Sequence, residues 1–145
     1  MQLVRHPPRD SVDMVFTEGT GPYTIKGQQL LALTRSPSAP GLLSPANGAR
    51  VDLAQGATFK WSYSPVSPGD TQAGFVFRRV YGSGPTTEYW NTATQAWQGT
   101  SVVNATDPAA PHQVSFPAGK WTTGTTYTWS VSTRSSTGAD SAYPT

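Results

Sequence analysis

The 145-residue sequence contains no cysteine and only two histidines, and charged residues make up only 12% of it. The absence of cysteine excludes disulfides, zinc–thiolate sites and cysteine nucleophiles. A formal net charge of +2 provides no basic face for nucleic acid. No apolar run approaches the roughly 20 residues of a membrane span. The sequence therefore predicts neither a nucleic-acid partner nor a membrane partner.

Reactive side chains are scarce as well. His6 and His112 are the only histidines, and no motif presents a nucleophile with its base. The eight acidic residues are scattered, so no stretch predicts a metal site or a catalytic carboxylate pair. The glycine-rich stretches EGTG and GSGP join predicted strands rather than opening a helix, which indicates turns and not phosphate sites. We expect no catalytic residue, no metal and no cofactor, and hence no enzyme.

Aromatic residues and turn formers are what the chain has in abundance. It contains five Trp, six Tyr and five Phe, together with 14 Gly and 13 Pro. Short alternating apolar segments separated by Gly and Pro are typical of antiparallel all-β proteins. About seven short strands within roughly 100 residues favour a two-sheet sandwich. The segments predicted to contain strands are 49–54, 57–63, 73–80, 86–97, 112–119, 126–133 and 139–145.

Alternation along these segments also predicts the core. Every second residue of a strand shares one face of its sheet. Arg78 and Arg79 must then point to opposite faces of their strand, and one of them shares the apolar face with its charged head extended toward water. Gly69 and Asp70 are predicted to shape the preceding turn, and Gln72 to hydrogen-bond a neighbouring loop. The predicted core consists of Phe59, Trp61, Phe75, Phe77, Val114, Phe116, Tyr127, Trp129 and Val131.

The first 38 residues differ from the rest and are predicted to form an arm. Residues 11–27 have the alternation of a β-hairpin around the turn TEGTG, and RSPSAPG at 35–41 is a proline-stiffened linker. The arm either covers its own sandwich at 39–145 or adds a strand to a neighbouring subunit. The apolar residues that would make these contacts are Val12, Met14, Phe16, Tyr23, Ile25, Leu30 and Leu31.

Two stretches resemble fibronectin type III-like domains: PGLLSPANGARVDLAQGATFKWSY and GTTYTWSVSTRSSTGADSAY. In that family a Trp of an early strand packs against a Tyr of a late strand, and Trp61 and Tyr127 match those positions. Asp70-Thr71-Gln72 before an aromatic strand, and the run Gly124–Val131, are similar to elements of such domains in virion proteins of tailed bacteriophages, especially phages of actinobacteria.

This resemblance implies a structural, non-enzymatic virion component, made in the host cytoplasm and located at the tail or capsid surface. The N-terminus MQLVRHPPRD has no apolar region of the kind that follows the basic start of a secretory signal. A minor tail protein is the leading hypothesis, with the arm as anchor and other virion proteins as homo- or hetero-oligomeric partners. A capsid decoration protein is the alternative within this class.

A carbohydrate-binding or adhesion module is the alternative from another class. Tyr89, Trp90 and Trp97 lie within one predicted hairpin and are flanked by Asn and Gln. Exposed aromatic rings in such a setting would stack on a host cell-surface glycan. The competing interpretation is that Trp90 or Trp97 covers the sandwich core, because large aromatic residues are usually mostly buried.

Overall fold

The computed structural model describes residues 36–145, apart from the side chain of residue 54, and, from the first 35 residues, the backbone of three strands. The chain divides into two compact units, Met1–Arg35 and Ser36–Thr145. In the first unit, strands β1 (Gln2–Arg5), β2 (Val12–Thr17) and β3 (Pro22–Ile25) form an antiparallel sheet in that order. The hairpin predicted over 11–27 corresponds to β2 and β3, and β1 adds a third strand that the sequence did not indicate.

The second unit is all-β and contains two antiparallel sheets. The smaller sheet has the strand order β10-β5-β4, and the larger has the order β11-β6-β7-β8 with β9 paired to β6. No α-helix occurs in the described residues, and a short 3-10 turn spans Leu53–Gln55. The strands are β4 (Leu42–Ser44), β5 (Ala57–Trp61), β6 (Gln72–Tyr81), β7 (Thr86–Asn91), β8 (Ala96–Gln98), β9 (Asn104–Ala105), β10 (Gln113–Phe116) and β11 (Tyr127–Ser135).

Aromatic rings from the two sheets meet in one core. Phe59 of β5 contacts Phe77 of β6 with ring centroids 5.3 Å apart, and Trp61 contacts Phe75 at 5.0 Å. Ring pairs at these distances contribute beyond the area that they bury. The buried core is Phe59, Trp61, Phe75, Phe77, Trp90, Val114, Phe116, Trp121 and Val131. The all-β sandwich and most of its core are therefore confirmed.

Tyr127 and Trp129 differ from the predicted core in that both are only partly buried against it. The expected packing of Tyr127 on Trp61 is also wrong. The Tyr127 ring lies instead 5.0 Å from Trp121, at nearly a right angle. Tyr127 is the first residue of β11 and sits at the end of the sheet. Its nearest aromatic neighbours there are loop and strand-end residues.

Two predicted strands are absent. At 49–54 the chain instead makes a turn, with the Ala49 amide donating to the Ala46 carbonyl, followed by the 3-10 turn. The place beside β5 is taken by β4, whose Leu42 lies opposite Trp61. At 139–145 only Asp140 forms a bridge, to Arg134 of β11. Pro144 has no amide hydrogen with which to extend that pairing.

Candidate functional site

Strand β6 carries the two adjacent arginines to opposite faces of the larger sheet. Arg79 points into the sandwich and is only 8% exposed. Its Nε and Nη2 atoms donate to Glu88 Oε2 at 2.9 and 2.7 Å, and Nη1 donates to the Lys120 carbonyl at 2.8 Å. The guanidinium carbon also lies 3.8 Å from the centre of the Trp97 ring. Arg79 is therefore paired and stacked inside the protein, and the prediction that its head extends to water is wrong.

Arg78 lies on the outer face of the same sheet, where its surroundings differ. Its Nε donates to Ser130 Oγ at 2.6 Å, and its guanidinium carbon lies 3.8 Å from the centre of the Tyr143 ring. Tyr89 of β7 lies directly opposite Arg78 in the strand register. We call Arg78, Tyr89 and Tyr143 the outer patch. The two ion pairs in the described part of the chain, Arg79 with Glu88 and Arg134 with Asp140, do not include Arg78.

The two tyrosines of the outer patch are close enough to influence each other. Burial raises the pKa of the Tyr143 phenol, and the neighbouring Tyr89 adds to that increase, while the Arg78 charge opposes it. The Tyr143 phenol, with its pKa raised, remains protonated in neutral solution. The outer patch thus presents one positive charge, that of Arg78, beside two aromatic rings.

An open cleft of about 580 Å³ is lined by one end of this sheet. Val80 and Thr128 are opposite each other in the register of β6 and β11, two residues beyond the pair Arg78 and Ser130. Because alternate residues of a strand share a face, Arg78 and Val80 point to the same side of β6. The outer patch and the cleft therefore belong to the same side of the sheet. The cleft is lined by Val80, Tyr81, Gly82, Gly124, Thr125, Thr126 and Thr128.

The residues predicted to stack on a glycan are distributed over both faces of the sheet. Trp90 is 1% exposed and packs in the core, so it offers no ring face to a sugar. Trp97 is half-buried on the same side, and its Nε1 donates to the Lys120 carbonyl at 2.8 Å. Only Tyr89 lies on the outer face. The three residues do not form one surface, and for Trp90 the core interpretation is the one that the structure shows.

Asp70 and Gln72 of the Asp-Thr-Gln element hold loops together. Gly69 precedes them with a φ of 84°, a turn conformation that favours glycine. The Asp70 carboxylate accepts hydrogen bonds from Tyr63 Oη at 2.5 Å, the Val66 amide at 3.0 Å and Ser136 Oγ at 2.7 Å. Burial by itself raises the pKa of Asp70, but these hydrogen bonds outweigh it and hold that pKa below its usual value.

Gln72 connects β6 to the loop before β10. Its Oε1 accepts from Trp61 Nε1 at 3.0 Å, and its Nε2 donates to the Pro111 carbonyl at 2.8 Å. Gln72 is buried, with 6% of its surface exposed. The predicted hydrogen bond from Gln72 to a neighbouring loop is confirmed. The predicted roles of Gly69 and Asp70 in the turn also agree with the structure.

Most of the remaining predicted contact residues belong to the first unit. Val12, Met14 and Phe16 lie in β2 and Tyr23 and Ile25 in β3, where Met14 is opposite Ile25 and Phe16 opposite Tyr23. The predicted contact residues at positions 30 and 31 lie outside the described residues, as does the histidine at position 6.

Metal-ligating side chains do not cluster in the described part of the chain. No group of three or more His, Asp or Glu residues there is arranged to hold a metal ion. His112 lies with its ring centre 5.9 Å from that of Tyr63. None of the described helical segments is long and apolar enough to cross a membrane.

Comparison with known protein families, curated proteins and solved structures finds no match to this chain.

Proposed function

We propose that this chain is a non-enzymatic structural component of a tailed-phage virion, a minor tail protein with a fibronectin type III-like sandwich. In this proposal the first unit attaches the protein to the particle and the sandwich projects outward. The observation that carries the proposal is the resemblance of two sequence elements, Asp70-Thr71-Gln72 and Gly124–Val131, to elements of such virion proteins.

The positions of these elements are compatible with a scaffold role. The polar side chains of Asp70 and Gln72 accept or donate hydrogen bonds within the chain and join β6 to its loops. From the second element, Val131 is fully buried and Trp129 packs on Phe77, with ring centroids 5.6 Å apart. These side chains stabilise the fold of the sandwich. In the proposed role the sandwich acts through its shape and its attachment to the particle.

Incorporation into phage particles tests the proposal. The full chain and a variant lacking residues 1–30 would be expressed during infection, and purified particles would be probed for each. A matched control is Lys60→Gln in the full chain, because Lys60 is exposed on β5. We expect the full chain and the control in particles, and the deletion variant to be lost from them while its tryptophan fluorescence remains that of the folded sandwich.

The outcomes separate the parts of the proposal. Equal incorporation of the deletion variant would overturn the anchoring role of the arm. Absence of the full chain from particles would overturn the virion role altogether. A particle reconstruction with density for the sandwich on the capsid rather than the tail would make the chain a decoration protein.

A further inference from the structure

Arg78, on the outer face of the larger sheet, carries a positive charge that forms no ion pair among the described residues. Arg78 uses Nε to reach Ser130 Oγ, which leaves its two terminal nitrogens with no hydrogen-bond acceptor among residues 36–145. The nearby Arg134 is in a different situation, because Asp140 binds it through both carboxylate oxygens at 2.6 and 2.7 Å. A guanidinium whose terminal donors are free and whose plane is held by a tyrosine ring is arranged for a bidentate carboxylate.

The surface around Arg78 is aromatic on one side and hydroxyl-bearing on the other. Tyr89 adjoins Arg78 across the β6–β7 ladder, at a spacing that allows one ligand to contact both side chains. Two residues further along β6, Val80 lines the cleft, and the exposed residues Thr126 and Thr128 line it as well. One carboxylate partner, one ring face and a row of hydroxyl groups are what an acidic sugar with its neighbouring sugar units requires.

We propose that the outer patch and the adjoining cleft bind an acidic saccharide, a short oligomer containing uronic acid. Arg78 holds the carboxylate, Tyr89 stacks on the ring of that sugar, and Thr126 and Thr128 hydrogen-bond hydroxyl groups of the next sugar unit. This surface does not include Trp90 and Trp97, the tryptophans of the predicted hairpin. The inference does not depend on the virion role of the chain.

A peptide fits this surface less well than a saccharide. Strand β6 is hydrogen-bonded to β11 on one side and to β7 on the other, so its main chain has no free edge to which a peptide strand could add. The cleft also has only one apolar side chain, Val80, beyond the part contributed by Tyr81. A phosphate group would favour several cations, whereas Arg78 is the single cation among the described residues of the outer patch and the cleft.

Titration of the full chain with trigalacturonate tests the proposal by NMR. We expect the largest shifts at Arg78, Tyr89 and Thr128, including the Nε–H signal of Arg78. The neutral trisaccharide galactotriose should bind at least about tenfold more weakly, since it lacks the charge-assisted pair. A peptide of three glutamates, which carries similar charge without sugar rings, should also bind at least about tenfold more weakly.

Variants identify the residues responsible. Arg78→Gln should raise the Kd for trigalacturonate about tenfold, and the matched charge change Lys60→Gln on the other sheet should alter it by less than about twofold. Thr128→Val keeps the size of an exposed side chain and should weaken binding by removing a hydroxyl. Absence of shifts in the unmodified chain, equal binding of the glutamate peptide, or equal effects of Arg78→Gln and Lys60→Gln would each overturn the proposal.

Discussion

The buried ion pair between Arg79 and Glu88 leads to a quantitative prediction about stability. Glu88→Gln keeps the length of the side chain but removes the charge that balances a guanidinium only 8% exposed. Breaking a fully buried ion pair costs about 3–5 kcal/mol. The Glu88 side chain is 24% exposed, and the amide oxygen of glutamine still accepts hydrogen bonds from Arg79, so both water and the new amide reduce the loss. We expect a loss of about 2 kcal/mol in the free energy of unfolding.

The exposed pair Arg134–Asp140 is the matched control. Its N–O distance of 2.6 Å is no longer than the 2.7 Å of the buried pair, but its side chains are 39% and 49% exposed. Asp140→Asn should therefore cost less than about 1 kcal/mol, and less still in 1 M salt. Urea unfolding followed by tryptophan fluorescence reports on the sandwich alone, because all five tryptophans lie in residues 36–145. Equal losses in Glu88→Gln and Asp140→Asn would refute the reasoning from burial.

Three further changes have expected outcomes. Trp61→Ala should cost about 3–5 kcal/mol in urea unfolding, because the side chain is 1% exposed and fills the core; a loss under about 1 kcal/mol would contradict that position. Gly56→Ala should lower the free energy of unfolding by about 2 kcal/mol or more, since a Cβ would lie 2.5 Å from the Phe116 carbonyl oxygen. Gly48 has a similar φ, but a Cβ there would have nothing within 4 Å, so the control Gly48→Ala should lower it by about 1 kcal/mol. The pKa of Asp70 is lowered in the folded state, so its stabilising contribution is present above about pH 4 and is lost as pH falls through the lower folded pKa. Asp70→Asn should therefore flatten that part of the curve of stability against pH, measured by urea unfolding. An unchanged curve would contradict this assignment.

Strand alternation predicted the parts of the fold in which one face of a strand is apolar. In β6, Phe75 and Phe77 are two residues apart, and both are buried, as that spacing requires. Strand alternation did not predict the burial of Trp121. It lies outside any strand, yet it stacks on Phe59 with ring centroids 5.2 Å apart. A single aromatic residue in a loop has no periodicity, so its burial depends on how the loop folds back over the core.

A strand assignment also depends on competition that the sequence does not display. The segment 49–54 alternates well enough for a strand, but the edge position beside β5 is occupied by β4. Leu42 and Leu43 of β4 are 37% and 61% exposed. Strand β4 therefore lacks the alternation of buried and exposed residues on which the sequence prediction of a strand depends. The pairing of β4 with β5 continues at Gly41, whose carbonyl accepts from the Ser62 amide at 2.8 Å.

The sequence could not predict the outer patch, because its residues come together only in the folded chain. Arg78 and Tyr143 are far apart in the chain, and they meet because the segment after β11 crosses its edge. The hydrogen bonds that direct this crossing run from the Ser141 amide to the Thr133 carbonyl and from Ser132 Oγ to the Ser141 carbonyl, both at 2.8 Å. No local pattern of residues encodes that contact.

The two adjacent arginines of β6 differ in role because of the register of β7. Glu88 is opposite Arg79, and Tyr89 is opposite Arg78. If β7 slipped by one residue, Glu88 would turn to the outer face and leave the Arg79 charge buried without a partner, which would cost several kcal/mol. The buried ion pair therefore disfavours the wrong register as well as filling the core. The same register that satisfies Arg79 within the sandwich keeps the only nearby carboxylate of β7 away from Arg78, and so leaves the outer arginine able to bind a ligand.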